Sequence, residues 1–133
     1  MEISQSLELE YQVTSADLAK TLSIDKSDDF PEVLATSRMI ALMELAAARL
    51  MKGQLSVGEL SVGVNVNVNH LAATLNHDRV KVVAQYTGRQ GKLYEFSVTL
   101  FDSAGMAGKG THTRAIVETS RLLAGAKSRV QAS

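Results

Sequence analysis

One apolar segment, SRMIALMELAAARLMK at residues 37–52, constrains the fold of this 133-residue chain more than any other. It is rich in good helix formers, and Gly53 directly after it is typical of a helix end. Its apolar side chains cannot share one stripe, and a helix that is apolar nearly all round is normally wrapped by other structure. These residues are Met39, Ile40, Leu42, Met43, Leu45, Ala47 and Leu50. We therefore predict a central helix that the rest of the chain covers.

The remaining segments supply strands for that cover. Apolar and polar residues alternate from Leu7 to Val13, which is the pattern of a strand with one wet face. Polar residues dominate the segment 14–29, which we interpret as a loop or lid with one short helical turn. Further runs with strand character cover residues 60–71, 79–87, 92–101 and 108–118. Gly91 and Gly105 suit tight hairpin turns, so we predict an antiparallel meander.

The element order of one strand, one helix and four strands predicts an α+β fold in which a curved antiparallel sheet wraps around one long central helix. We expect a single domain over residues 1–133. The first strand and the lid occupy 1–29, the core occupies 30–118, and a helix or tail occupies 119–133. A curved sheet around one helix leaves an exposed edge and flank, so we expect a homodimer, with a higher oligomer as a further possibility.

Composition excludes several classes of function. Lys and Arg total 14, as do Asp and Glu, and neither sign forms a block, so we expect no nucleic-acid or membrane partner. The absence of cysteine excludes disulfides and thiolate chemistry. The N-terminus has neither a basic start nor an apolar run, which predicts a cytoplasmic protein. We interpret His77 as a turn residue and His112 as an ordinary strand residue, and the scattered histidines predict no metal site.

Glu44 is out of place on the predicted helix. The residues three and four positions away are apolar, namely Ile40, Ala41, Ala47 and Ala48. No cation of the helix is therefore placed to neutralise its charge. A buried carboxylate would have a raised pKa and could act as a general base or acid in acyl transfer. Two plainer interpretations stay open: the side chain reaches solvent past the alanines, or it pairs with an arginine from a strand.

His70 ends a strand in which every second residue is apolar. The residues of its parity are Leu60, Val62, Val64, Val66 and Val68. We expect His70 to face the helix with them. A histidine on an inner face is more often a satisfied core residue than a catalyst, and both interpretations stay open. Gly63 in the same strand is typical of a bulge or a close backbone approach, and it could offer an amide to an oxyanion.

Thr36 stands where the helix begins. Its plainest interpretation is an N-cap hydroxyl. Alternatively, it is a nucleophile, or it lies beside a thioester carbonyl that the free amides of the helix N-terminus activate. The eight residues between Thr36 and Glu44 place these two side chains about two helical turns apart. Arg114, in GKGTHTRAIVE, could hold a carboxylate, a phosphate or Glu44, and a structural salt bridge is the commoner role.

Three motifs together resemble the fluoroacetyl-coenzyme A thioesterase group of hot-dog proteins. They are FPEVLATSRMIALMELAAARLM, SVGVNVNVNHLAAT and GKGTHTRAIV, and they lie within residues 30–118. Their specificity lies in the combination, since each motif alone is weak. The resemblance implies a hot-dog fold and a catalytic set of Thr36, Glu44 and His70.

The resemblance also indicates residues that bind the substrate. The family's glycine amide near the thioester carbonyl corresponds to Gly63, contributed across a dimer interface, and the family's arginine corresponds to Arg114. In the fluoroacetyl-specific enzyme, two phenylalanines line a gate before the helix. This chain has Phe30 but only polar residues just upstream. We therefore expect no selectivity for fluorine, and a plain short-chain or aromatic acyl thioester as the substrate class.

We predict hydrolysis of an acyl-coenzyme A to a free acid and coenzyme A, with no cofactor, since coenzyme A enters as part of the substrate. Covalent attack by Thr36 and attack by water activated by Glu44 and His70 both fit these residues. The rival hypothesis is a non-catalytic module that binds an acyl thioester, and a hydroxyacyl-thioester dehydratase is a weaker alternative. An unpaired carboxylate at Glu44 would serve a hydrolase but not a binding module.

Overall fold

The computed structural model describes residues 1–132, in which five antiparallel strands curve around one helix. The elements in chain order are β1 (Ser6–Gln12), α1 (Thr36–Met51), β2 (Glu59–His70), β3 (Arg79–Gln90), β4 (Leu93–Asp102), β5 (Gly105–Glu118) and α2 (Thr119–Ala132). The predicted strands and the central helix are therefore confirmed. The predicted hairpin turns are confirmed as well, since Gly91 and Gly105 have φ of 62° and 130°. The lid contains two short 3₁₀ turns, Ser15–Asp17 and Ala19–Leu22, rather than the one predicted.

The order of the strands differs in part from the predicted meander. The sheet runs β1-β3-β4-β5-β2, so β3, β4 and β5 form a meander, whereas β2 pairs with β5 at the far edge. The prediction that β2 lies next to β3 is wrong. The alternation of side chains identifies a strand and its faces, but it does not identify the neighbouring strand, and consecutive strands are neighbours only about two-thirds of the time.

Strand β2 also departs from the predicted alternation. Its register against β5 shifts between Gly63 and Asn65, so that Val64 is an extra residue. A bulge of this kind exchanges the two faces of a strand. Val66, Val68 and His70 face α1 as predicted, but before the bulge the inward residues are Ser61 and Gly63. The predictions for Leu60, Val62 and Val64 are therefore wrong, and Leu60 and Val64 are about half exposed.

Helix α1 lies in the concave face of the sheet and packs against all five strands. Its inner side buries Met39, Leu42, Met43, Ala46, Ala47, Leu50 and Met51. The strands supply the other half of the core, with a clean alternation of buried and half-buried residues along β4. The cover is not complete, however, because Leu45 on the outer flank of α1 is 39% exposed. The predicted wrapping therefore holds for one side of the helix only.

Helix α2 follows β5 and buries none of its residues, which agrees with the predicted terminal helix or tail. Among residues 1–132, none of the helices has the length and apolar character needed to cross a membrane.

The lid segment is attached to α1 through the buried carboxylate of Asp17. One carboxylate oxygen accepts hydrogen bonds from the Tyr11 hydroxyl (2.6 Å) and the Thr14 backbone (2.7 Å), and the other accepts one from Arg38 Nε (2.7 Å). Burial by itself raises the pKa of Asp17, but these hydrogen bonds outweigh it and hold the pKa below its ordinary value of 3.8. The Asp17 carbonyl also accepts from the Ala35 amide, one residue before α1. Asp17 therefore ties the lid to the start of α1 through both its carboxylate and its backbone carbonyl.

Replacing Asp17 with Asn should lower the free energy of unfolding by about 3 kcal/mol, because it leaves the partners of a buried charge uncompensated. Denaturant unfolding measures the change. Glu32→Gln is the matched control, since Glu32 and its partner Lys20 are both about two-thirds exposed, and it should cost no more than about 0.5 kcal/mol. Equal free energies of unfolding for the two variants would contradict the structural role of the Asp17 carboxylate.

The destabilisation by Asp17→Asn should disappear as the pH falls through the lowered folded-state pKa of Asp17, because residue 17 is then neutral in wild type too.

Candidate active site

Thr36 and His70 form a contact at the start of α1. The Thr36 hydroxyl Oγ1 lies 2.8 Å from His70 Nδ1. The N-cap position of the helix belongs to Ala35, Thr36 is the first helical residue, and no side chain in the described part of the chain caps the helix. The interpretation of Thr36 as an N-cap hydroxyl is therefore wrong. Its side chain is directed to the histidine, which is the arrangement that activates a hydroxyl as a nucleophile.

Two backbone features bring Thr36 to His70. The Leu34 amide donates to the Thr74 carbonyl at 2.9 Å, which ties the segment before α1 to the segment after β2. His70 pairs with Gly108 of β5, and a Cβ atom at Gly108 would collide with the sulfur of Met39. The absence of a side chain at Gly108 therefore lets α1 approach the sheet closely, one turn from Thr36.

The other ring nitrogen of His70 has no hydrogen-bond partner among the described residues. Nε2 is buried, and it is one of two buried side-chain polar atoms of residues 1–132 without a partner. Buried polar atoms are nearly always paired in native proteins, and exceptions need an explanation. His70 is therefore not a satisfied core histidine, which was the plainer of its two interpretations.

The Thr36–His70 pair lies at the polar end of a cavity of about 620 Å³. The rest of the lining is almost entirely apolar and comes from the lid, the start of α1 and the segment after β2. Leu22, Phe30, Pro31, Val33 and Ala72 are among these residues. Phe30, predicted to bind the substrate, therefore lies in the same cavity as Thr36 and His70. A cavity that combines apolar walls with a few convergent polar groups is the usual form of a small-molecule site.

Glu44 lies in a second cluster with Gly63 and Arg114. Glu44 Oε2 is 3.7 Å from Arg114 Nη1, and the two side chains are 42% and 6% exposed. The interpretation of Glu44 as a buried carboxylate is therefore wrong for the single chain, and of its two plainer interpretations the pairing with an arginine from a strand is correct. A Cβ at Gly63 would stand 3.0 Å from Glu44 Oε1. The glycine allows the carboxylate to lie directly against the backbone of β2.

Arg114 is held by residues that were not predicted as functional. Its Nε donates to Ser61 Oγ and its Nη2 to the Ser61 carbonyl, both at 2.9 Å. Nη1 lies 3.1 Å from Nε2 of His112. The interpretation of His112 as an ordinary strand residue is wrong, because its ring is 2% exposed and bridges Arg114 to the Asn65 carbonyl. The signal available in the sequence was parity, since His112 and Arg114 are two residues apart and share the inner face of β5.

The two clusters lie apart within one chain. Thr36 and Glu44 are separated by about 12 Å along the axis of α1. His70 and Gly63 are separated by roughly 20 Å along β2. The structure therefore brings Thr36 to His70 and Glu44 to Gly63 and Arg114, but one chain does not bring all five into contact. Among residues 1–132 there is no group of three or more His, Cys, Asp or Glu side chains that could hold a metal ion.

Comparison with known proteins identifies the family. A family model described as fluoroacetyl-CoA-specific thioesterase matches residues 13–120. The chain belongs to this family. A fluoroacetyl-CoA thioesterase from Streptantibioticus cattleyicolor is 36% identical to it over 104 residues, which are 78% of this chain and 75% of the relative.

Solved structures agree with this assignment. A structure of the fluoroacetyl-CoA thioesterase FlK superposes with a TM-score of 0.90 at 30% identity, covering 96% of each chain. A hot-dog-like protein from Thermanaerovibrio acidaminovorans superposes with a TM-score of 0.85, covering 97% of this chain and 93% of the other. Its identity of 22% supports the fold alone. The predictions of an α+β hot-dog fold and of a thioesterase are confirmed.

Adding a methyl group at Gly63 tests the packing in the second cluster. Gly63→Ala should displace the Glu44 carboxylate and lower thioesterase kcat by about tenfold or more, because enzyme activity is sensitive to displacements of about 1 Å near the site. Steady-state kinetics measures the change. Gly53→Ala is the matched control, since a Cβ there meets nothing within 4 Å, and it should leave kcat unchanged. Equal kcat values for the two variants would contradict the functional importance of this contact.

Proposed function

We propose that this protein hydrolyses an acyl-coenzyme A thioester to a free acid and coenzyme A, with Thr36 as the nucleophile and His70 as its base. The contact of 2.8 Å between Thr36 Oγ1 and His70 Nδ1, at the polar end of an apolar cavity, is the observation that carries the proposal. A module that only binds a thioester has no need of a hydroxyl and imidazole in this geometry. Family membership supports the same reaction, since the relatives are described as fluoroacetyl-CoA thioesterases.

The proposed reaction has two steps. Thr36 Oγ attacks the thioester carbonyl carbon while His70 Nδ1 takes the hydroxyl proton, and the carbon–sulfur bond breaks as that proton passes to the coenzyme A sulfur. Water then attacks the acyl-threonine ester, His70 again acts as the base, and the proton returns to Thr36 as the acid leaves. Nδ1 can accept the proton only if it is bare, so a neutral His70 must carry its proton on the partnerless Nε2. The proposed reaction needs no cofactor.

The acyl group that we propose is short-chain or aromatic and uncharged. Among residues 1–132, His70 is the one ionisable side chain that lines the cavity, so a charged acyl group would lose its hydration without a partner. Phe30 offers its ring to the acyl group, and we propose that it contributes to the choice of substrate. The residues just upstream are polar, which favours an unfluorinated substrate.

We propose that the complete site forms in a homodimer. A carbonyl held at Thr36 is far from the Gly63 amide of the same chain, as the separation of the two clusters indicates. β2 is an edge strand, and Val64, Val66 and the nearby Leu45 of α1 are exposed. Antiparallel pairing of β2 with β2 of a second copy, centred on Asn67, would put the bulge at Gly63 and Val64 of each copy opposite His70 of the other.

In this arrangement one subunit contributes Thr36 and His70, and its partner contributes Gly63, Glu44 and Arg114. The Gly63 amide would polarise the carbonyl oxygen, and Glu44 would orient or activate the water of the second step.

We also propose that the chain is a single catalytic domain. We propose a cytoplasmic location for it, because coenzyme A thioesters are made and consumed in the cytoplasm.

The proposal is tested first by thiol release from acetyl-, isobutyryl-, benzoyl- and fluoroacetyl-coenzyme A. Wild type should hydrolyse at least one of these, and His70→Ala should lose kcat by roughly 100-fold or more, as expected for loss of a general base. Thr36→Ser should retain turnover, whereas Thr36→Ala should not. If wild type releases thiol from none of the four substrates, the binding module is favoured. If Thr36→Ala keeps near-normal turnover, direct attack by water is favoured.

The proposed composite site is tested by combining two inactive subunits. Thr36→Ala and Glu44→Ala chains, co-expressed with different affinity tags and purified through both, form dimers in which one of the two sites holds no substitution. These heterodimers should recover about half of the wild-type activity. Each homodimer alone should stay inactive and serves as the control. Heterodimers without activity would show that Thr36 and Glu44 act from the same chain.

A further inference from the structure

The imidazole of His112 lies between one partner that can only accept a hydrogen bond and one that can only donate. Nδ1 lies 2.8 Å from the carbonyl oxygen of Asn65, which can only accept. Nε2 lies 3.1 Å from Nη1 of Arg114, and a guanidinium can only donate. The ring must therefore carry its proton on Nδ1 and keep Nε2 bare. Only one tautomer, and only the neutral ring, satisfies both contacts.

The first of these contacts lies at the bulge in β2. Asn65 is the residue at which the register against β5 resumes after the shift. Bulges disrupt the ladder locally, so a carbonyl at a bulge can accept a hydrogen bond from a donor outside the ladder. The donor here is the Nδ1–H of His112, so the tautomer of His112 is set by the backbone of the neighbouring strand.

The second contact determines the orientation of Arg114. Ser61 accepts from Nε and Nη2, which fixes one edge of the guanidinium. Nη1 carries two hydrogens, and His112 accepts one of them. The other is left for Glu44, whose Oε2 is 3.7 Å away. Removal or protonation of His112 would therefore take away the acceptor of Nη1, and the contact between Nη1 and the Glu44 carboxylate would lose the support on this side of the guanidinium.

We propose that His112 is a positioning residue that sets the orientation of the Glu44 carboxylate through Arg114, and that it acts as a single neutral tautomer. The inference rests on the proposed role of Glu44 in thioester hydrolysis. The charged groups that face the ring are Arg114 on β5 and Glu44 on α1, while β2 contributes a carbonyl and β4 the ring of Phe96. Burial, together with the charge of Arg114, lowers the pKa of His112, although the Asn65 carbonyl and Glu44 act in the opposite direction. The neutral form is thus favoured near pH 7.

The tautomer is measured by long-range proton–nitrogen correlation NMR of the imidazole rings in the intact protein. His112 should show a protonated Nδ1 and a bare Nε2, and it should keep this form as the pH falls below about 6.5, the ordinary pKa of histidine. His77, exposed in a turn, gives the reference signal of a solvated ring in the same spectrum. A proton on Nε2 of His112 would overturn the proposal. This measurement does not depend on activity, so it separates a failure here from a failure of the proposed function.

The positioning role is tested with the coenzyme A substrate that wild type turns over. His112→Phe keeps a buried ring of similar size but removes both hydrogen bonds, and kcat should fall roughly 10- to 100-fold with a smaller change in KM. His112→Gln retains one donor and one acceptor and should restore part of the loss. Thermal unfolding of each variant measures any structural damage separately.

A double-mutant cycle with Glu44→Gln shows whether His112 acts through Glu44. In the Glu44→Gln background, His112→Phe should cause little further loss of kcat, because the carboxylate that it positions is already gone. Equal losses in both backgrounds, or a His112→Phe variant with wild-type kcat, would overturn the proposal. If His112→Phe fails to fold, the same cycle is run with His112→Gln.

Discussion

The burial of helix α1 is the constraint on which the rest of the structure depends. A helix with this many large apolar side chains is stable in water only when other structure covers it, and a sheet can cover it only by curving around it. The same helix carries Thr36 and Glu44 at the margin of its buried side. Its packing therefore holds these two polar side chains at the boundary between the core and the surface.

The bulge in β2 has a similar importance for the inner face of the sheet. One extra residue at Val64 turns Ser61 and Gly63 toward α1, while Val66, Val68 and His70 keep the inward orientation beyond it. Gly63 then leaves room for the Glu44 carboxylate, and Ser61 accepts from Arg114. A regular strand would have turned Leu60 and Val62 inward instead, and Arg114 would have lost its acceptors. A bulge next to a proposed active site is thus a structural requirement of that site.

The edge position of β2 links the two clusters of polar residues. His70 lies at one end of the strand, and Gly63 lies about two-thirds of the way toward the other end. A two-fold axis near the middle of an antiparallel pair exchanges such positions between two copies. In the proposed dimer, the apolar residues left exposed on the edge and on α1 become covered by the same contact that completes the site. Stability and catalysis would then depend on one interface.

Several elements were predictable because their signals are local. The apolar segment at residues 37–52 identified α1, alternation identified the strands to within a few residues, and glycines identified the hairpins. The candidate residues Thr36, Glu44 and His70 were recognised because each departs from a local pattern and because three motifs resemble a known family. The contacts of these residues were not predictable in the same way. The interpretation of Glu44 stayed open between burial, solvent exposure and pairing with an arginine, and Thr36 had capping as its plainest interpretation.

The sequence by itself determined the kinds of elements and the residue types available for chemistry, because helix and strand periodicity depend on residues only a few positions apart. Only the tertiary structure decided that β2 lies beside β5, that Thr36 meets a histidine 34 residues away, and that His112 holds Arg114. His112 looked ordinary in the sequence because its two partners, the Asn65 carbonyl and Arg114, come next to it only in the folded sheet. The first of them lies at a bulge of the neighbouring strand, which the sequence pattern does not show. The physical reason is that hydrogen bonding between distant residues depends on their positions after packing, and packing is a property of the whole chain.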